Sequence, residues 1–254
     1  MKIAELTEAQ DKWAVLDQHV FPQCQKYLEA VQGSGFWFLR GSQTTLDDNF
    51  WYSIPQQRTP RNSQLGASQA FDEVMKTFGC KALRLNSIFV TTMRRKAQDY
   101  TEYGGGTGKV YLIFPDDNCH YSWTRERDLT LGHNMLPLDV NKVTQWKQQY
   151  PSKYSAYDPS IAWDIDQTHK KDPQAPSLAS MIDRREFEEQ FSPGCDNIPQ
   201  MIQAMQMGRE IFVSGGKYLA ISITSPGLNA ALKKRGLPPI QSMSSHPRKW
   251  HDDD

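Results

Sequence analysis

Phe36-Trp37-Phe38-Leu39-Arg40-Gly41-Ser42 is the stretch on which the reading of this chain turns. Four apolar residues in a row, bounded by the break Gly33-Ser34-Gly35, suit a short strand buried in the core. The run ends on a guanidinium beside a residue with no side chain, which places a fixed charge next to approachable backbone.

Working outward, the residues before it predict a helical segment over 1–32. Thr7 can cap a helix with Trp13, Leu16 and Val20 on one face, Pro22 interrupts it, and Tyr27, Leu28 and Val31 continue it. Downstream, residues 42–67 carry Pro55, Pro60, Gly66 and the cluster Arg58-Thr59-Pro60-Arg61, which predicts an irregular loop. Ser68 then caps a helix through Phe71, Val74, Met75 and Phe78, with Gly79 as its stop. Leu83–Thr92 ends in Ile88-Phe89-Val90-Thr91-Thr92, a strand composition, and Met93–Tyr103 looks helical. Val110–Pro115 and Cys119–Thr124 flank Asp116-Asp117-Asn118 as the two arms of a hairpin. Residues 125–195 spell no clear fold. Asp196-Asn197 caps a helix bearing Ile198, Met201, Ile202 and Met205, and two strands, Glu210–Val213 and Lys217–Ile223, surround Gly215-Gly216. Short strands interrupted by helices, without regular βαβ alternation, predict an α+β fold in one domain over residues 1–240, followed by a disordered tail over 241–254.

Composition narrows the function. The 254 residues hold 29 Lys plus Arg against 29 Asp plus Glu, and this balance argues against a protein that binds polyanions through bulk counterion release. With 38% apolar residues, 7 Trp, 10 Tyr and 11 Phe, the chain can bury a core without metal or disulfide staples. Cys24, Cys80, Cys119 and Cys195 form no CxxC pair and have no His at ligand spacing, so four unpaired thiols in a reducing compartment and no metal are expected. MKIAELTEAQDKWAVL mixes charge into its apolar content and suits neither a signal segment nor a spanning helix, so a soluble, cytoplasmic protein is expected. Gly104-Gly105-Gly106-Thr107-Gly108-Lys109 is not a phosphate loop, because Tyr103 and Val110 stand where the first glycine and the hydroxyl belong and the stretch precedes a strand.

Three separated motifs carry the functional expectation: Arg40-Gly41-Ser42, then Phe89-Val90-Thr91-Thr92 followed by Ala97-Gln98-Asp99-Tyr100, then Glu210-Ile211-Phe212-Val213. Their kinds and order resemble the ADP-ribosyltransferase superfamily, in particular its phage-type members. That resemblance implies a split β-sheet core, NAD as co-substrate, and transfer of ADP-ribose inside an infected bacterium to a host acceptor: a protein, a nucleic acid or a small molecule. It implies catalytic roles for Glu210, Arg40 and Thr91, and dinucleotide contacts from Arg40, Gly41, Ser42, Phe89, Thr91 and Tyr100, the last stacking on nicotinamide.

The chemistry suits those residue types. Cleaving nicotinamide from ribose develops oxocarbenium character, which the Glu210 carboxylate would stabilise. Arg40 would clamp the pyrophosphate, while Gly41 would let backbone reach the carboxamide. Thr91 would hydrogen-bond Glu210, with Ser87 as the competing hydroxyl. Arg58 and Arg61, in the loop after the arginine strand, are candidates to close over the phosphates. Two departures matter. Gly208 stands where arginine-modifying relatives place Gln or Glu, and Met93 where a third hydroxyl often sits. An NAD glycohydrolase and a catalytically silent virion or host-interaction protein are the rival readings. A nucleic-acid acceptor would have to be recognised locally, since the chain has no net charge to attract it.

Overall fold

The computed structural model describes residues 12–47, 51–60, 63–102, 108–125, 129, 131–151 and 161–240. Its strands form two four-stranded antiparallel sheets. The first holds β1 (Leu39–Ser42), β2 (Trp51–Ser53), β4 (Lys109–Pro115) and β8 (Lys217–Ser222), in the spatial order β1-β4-β8-β2. The second holds β3 (Ser87–Val90), β5 (His120–Trp123), β6 (Gly194–Cys195) and β7 (Ile211–Ser214), in the order β3-β7-β5-β6. The helices are α1 (Lys12–Val15), α2 (Gln25–Ser34), α3 (Leu65–Thr77), α4 (Arg94–Glu102), α5 (Val140–Gln149), α6 (Ile161–Lys171), α7 (Arg184–Phe191), α8 (Ile198–Gln206) and α9 (Leu228–Lys234). The fold is α+β.

One backbone bridge links the edges of the two sheets. Leu39 and Thr91 exchange backbone hydrogen bonds of 2.7 and 2.9 Å, and beyond that bridge β1 and β3 are unpaired. Two strands joined at one end and splayed at the other leave an open wedge between them.

Sheet pleating explains why there are two cores. Successive side chains point to opposite faces. Ile88, Val90, Tyr121, Trp123, Ile211 and Val213 therefore enter a core shared with the first sheet, α2 and α8, while Phe212 points the other way. There it joins a second core, with Phe71 of α3, Trp146 of α5, Ile165 of α6, and Phe187 and Phe191 of α7, and Phe89 packs against its edge. This second layer occupies much of the stretch whose sequence spells no fold. Within that stretch α5 and α7 bury only one or two apolar anchors each and are fixed also by their starts: Asp139 caps α5 and Asp183 caps α7, each carboxylate accepting two backbone N–H groups.

Several expectations need correction. Residues 110–115 and 120–123 are not a hairpin, for β4 lies in the first sheet and β5 in the second. The strands on either side of Gly215-Gly216 divide in the same way, and both connections turn at one corner, where the Cys119 thiol faces the carbonyls of Gly215 and Lys217. Gly216 has φ +49°, and a Cβ there would collide with the Asp116 carboxylate, so the second connection needs a glycine. The presumed loop over 42–67 contains β2, paired with β8, and already enters α3 at Leu65. Gln64, not Ser68, occupies the cap position there. β1 begins at Leu39, after the aromatic run. Thr7, the glycine stretch 104–107 and the tail beyond residue 240 lie outside the described residues.

The cysteines also differ from expectation. Cys80 and Cys195, 115 residues apart, form a disulfide that ties the segment leading into β3 to β6, while Cys24 and Cys119 are buried free thiols. Burial pushes both of those thiols far up, with the Asp116 carboxylate adding to it at each and Asp117 at Cys24. Reduction with dithiothreitol is expected to lower the thermal midpoint, by the equivalent of about 2–4 kcal/mol for a cross-link closing a loop this long. The native protein is expected to resist alkylation at Cys24 and Cys119. A midpoint unchanged by reductant, with the free thiols titrated before and after, would count against the cross-link.

Candidate functional site

A cavity of about 440 Å³ fills the wedge between β1 and β3. Leu39 to Thr44 form one wall and Ser87 to Thr91 the opposite one. Arg58, Arg84, Lys96, Tyr100, Leu129 and Glu210 complete it. The three motifs separated in the chain therefore meet in one place. Of the residues singled out from sequence, Arg40, Gly41, Ser42, Arg58, Ser87, Phe89, Thr91, Tyr100 and Glu210 all line this cavity, and Arg61 lies outside the described residues.

Each is held by its local structure. Gly41 is needed for packing, since a Cβ there would run into the Ala97 carbonyl and the Tyr100 side chain. The bare backbone lets α4 lie directly on β1, and this brings Tyr100 over the cavity. The carboxamide contact expected of Gly41 is thus secondary to a demand of the fold. Ser42 turns its hydroxyl to the Thr44 carbonyl at 2.8 Å. Arg40 is half-buried beside Tyr218. Burial pushes that phenol up, and the Arg40 charge pulls the other way.

Glu210 is 3% exposed at the head of β7. Its carboxylate accepts from the Tyr100 hydroxyl at 2.8 Å and from the Leu129 amide at 3.4 Å. The expected Thr91 contact is not made: the Thr91 hydroxyl accepts from the Met93 amide at 3.1 Å and shapes the entry into α4. Tyr100, expected on a nicotinamide ring, fills the role assigned to Thr91. Ser87 does not fill it either, because its hydroxyl donates to Asn86 Oδ1.

Arg84 was not singled out by sequence. Its guanidinium, 4% exposed, stands 3.9 Å from Glu210 Oε2 and donates to Ser63 Oγ at 2.9 Å. It also lies 5.1 Å from the Phe89 ring centre and 5.9 Å from that of Phe212. Arg58 approaches Phe89 at 4.2 Å and donates to the Ser87 carbonyl, so Phe89 serves two cations. The available signal was Arg84 set between apolar Leu83 and Leu85, with Asp72 standing among the apolar residues of α3.

Asp72 supports that arginine through the backbone, accepting the Arg84 and Leu85 amides at 2.8 and 2.9 Å. Burial outweighs these hydrogen bonds and raises its carboxyl from 3.8 to about 6. The folded chain therefore binds this proton more tightly than the unfolded one. The resulting stabilisation is complete below about pH 4 and is lost as pH rises through about 6, on the order of 2–3 kcal/mol at most. Urea midpoints of the parent and Asp72→Asn between pH 4 and 7 should show the parent losing ground to the variant as pH rises. A constant difference would refute the assignment.

Scans against protein-family models, curated proteins and solved structures found no match. The cavity's own geometry therefore carries the functional reading. Among the described residues, Arg40, Arg58, Arg84 and Lys96 face it against the one carboxylate of Glu210, a cationic lining in a chain of zero net charge. Such a lining suits an anionic ligand of nucleotide size. No group of His, Cys, Asp and Glu among the described residues is placed to hold a metal ion, and none of their helices is long and apolar enough to cross a membrane.

Proposed function

We propose that this protein is an NAD-dependent ADP-ribosyltransferase. One observation carries the reading: Arg40, Thr91 and Glu210, from three strands in two sheets, line a single cationic cavity at the point where the sheets part. The donor set suits a dinucleotide. Arg40 and Arg58 would hold the pyrophosphate through charge-assisted hydrogen bonds, and the Phe89 ring supports the Arg58 guanidinium from beneath. In the reaction, the bond between ribose C1′ and the nicotinamide nitrogen breaks and nicotinamide leaves with the electron pair. Positive charge develops on the ribose, where the fixed Glu210 carboxylate stabilises it. An acceptor nucleophile then forms the new bond to C1′ and releases any proton it carries to solvent. Tyr100, the Leu129 amide and Arg84 keep Glu210 in one orientation, so little reorganisation is needed when the charge appears.

The test is nicotinamide release from NAD, together with transfer of labelled ADP-ribose into a bacterial lysate. Release with transfer supports the reading. Release without transfer identifies a glycohydrolase, and absence of NAD binding at millimolar concentration sinks both.

A further inference from the structure

We infer that the acceptor is a nucleic-acid strand, docked through its phosphates on an arginine strip formed by Arg125, Arg209, Arg94 and Arg95 at the end of the second sheet. The proposal rests on the transferase reading for what happens to the bound strand, but not for the binding itself.

The turn that leads into Glu210 is the starting point. Gly208 has φ +67°, and a Cβ there would lie 2.8 Å from Met93 Cγ and Sδ. A Gln or Glu at this position would be strained by the left-handed backbone and crowded by Met93. The turn is locked in this shape, because the Thr92 hydroxyl donates to the Met205 carbonyl at 2.7 Å and the Arg209 amide to the Ala204 carbonyl at 3.0 Å. The side chain that would receive an incoming guanidinium is thus excluded by the packing of the chain.

Cations stand in its place. β5 and β7 pair Ser122 with Phe212 and Trp123 with Ile211; Arg125 lies two residues past the end of β5 and Arg209 two residues before the start of β7, at the same end of the sheet. Like charges brought together at a sheet end repel. Burial, and then the Arg125 charge, lower the ease with which Arg209 holds its proton. The buried Arg209 Nε has no hydrogen-bond partner among the described residues. Arg94 and Arg95 open α4 directly after Met93, the residue that touches Gly208, at the helix end where the macrodipole disfavours cations. Among the described residues, none of the four arginines pairs with a carboxylate. An anion would satisfy all of these features together.

None of the four lines the cavity, so this strip does not duplicate the dinucleotide's phosphate contacts. Two cation pairs on separate elements suit the repeated phosphates of a strand better than one phosphorylated side chain. Met207, 52% exposed on the same turn, offers an apolar contact for a base. The zero net charge of the chain fits this local mode of recognition, which needs no long-range field.

The experiment is fluorescence anisotropy of a labelled single-stranded 12-mer oligonucleotide with the full-length protein, without NAD, from 50 to 200 mM salt. The parent is expected to bind with a log–log salt slope of about 3, four phosphates at roughly 0.7 each. Arg125→Gln/Arg209→Gln and, separately, Arg94→Gln/Arg95→Gln should each weaken binding at least tenfold and reduce the slope by about 1.4. Arg185→Gln, which removes an exposed arginine paired with Glu189 on α7, should leave both unchanged. Melting curves run alongside distinguish binding from folding, since separating Arg125 from Arg209 should preserve or raise the midpoint. The proposal is overturned if the parent fails to bind the oligonucleotide, if both double variants bind it like the parent, or if a phosphopeptide competes it off at equal concentration. Nicotinamide release is measured independently, so failure here and failure of the transferase reading are separate results.

Discussion

Glu210→Gln is expected to reduce nicotinamide release by a hundred- to a thousand-fold, on the order found when a preorganised electrostatic group is removed from a reacting centre. The substitution is nearly isosteric. Its amide oxygen can still accept from the Tyr100 hydroxyl or the Leu129 amide, so the site keeps its shape and loses its negative charge. NAD affinity should change little, because in the proposed mode the phosphates would be held elsewhere, by Arg40 and Arg58. The loss should therefore fall on turnover. Tyr100→Phe provides the graded comparison. It removes one hydrogen bond to a charged group and should cost roughly tenfold in turnover, at unchanged NAD affinity. A Glu210→Gln variant that releases nicotinamide as fast as the parent would end the catalytic assignment, whatever the cavity binds.

The sequence made the site more legible than the architecture. Arg40, Thr91 and Glu210 stand out because a charged or hydroxyl residue stands at the end of an apolar strand, and that pattern survives whatever the strands pair with; Phe89 and Tyr100 entered only through the family resemblance. The pairings did not survive. A strand, a polar turn and a second strand read alike whether the chain folds back as a hairpin or crosses a corner into another sheet, and both connections near Asp116 and Gly216 are of the second kind. The role of Gly41 could not be read because it depends on α4 lying on β1, a contact between segments far apart in the chain. The exchange of roles between Thr91 and Tyr100 has a similar origin. Which hydroxyl reaches Glu210 depends on where α4 places its second turn, and short-range patterns do not encode that. Cys80 and Cys195 escaped notice as a pair because no spacing rule links residues 115 apart.

Arg84 is the residue whose replacement should most disturb the fold. Arg84→Met keeps much of the apolar stem but deprives the Glu210 carboxylate, 3% exposed, of the Arg84 guanidinium. It also removes the cation from Phe89 and Phe212 and takes a donor from Ser63, which in turn accepts the Leu131 amide. Breaking one side of a buried ion pair typically costs about 3–5 kcal/mol, and the 3.9 Å separation places this pair at the lower end. The decisive measurement is the double variant Arg84→Met/Glu210→Gln, with urea midpoints for all four proteins. The penalty in the single variant comes mainly from a buried charge deprived of this counter-charge, so neutralising the partner should recover at least about 1 kcal/mol of the summed single costs. Coupling near zero would mean that Arg84 acts through Ser63 and the two aromatic rings alone. Glu210 would then be held by Tyr100 and the Leu129 amide without help from a counter-charge, and the cationic lining would act on the ligand rather than on the carboxylate.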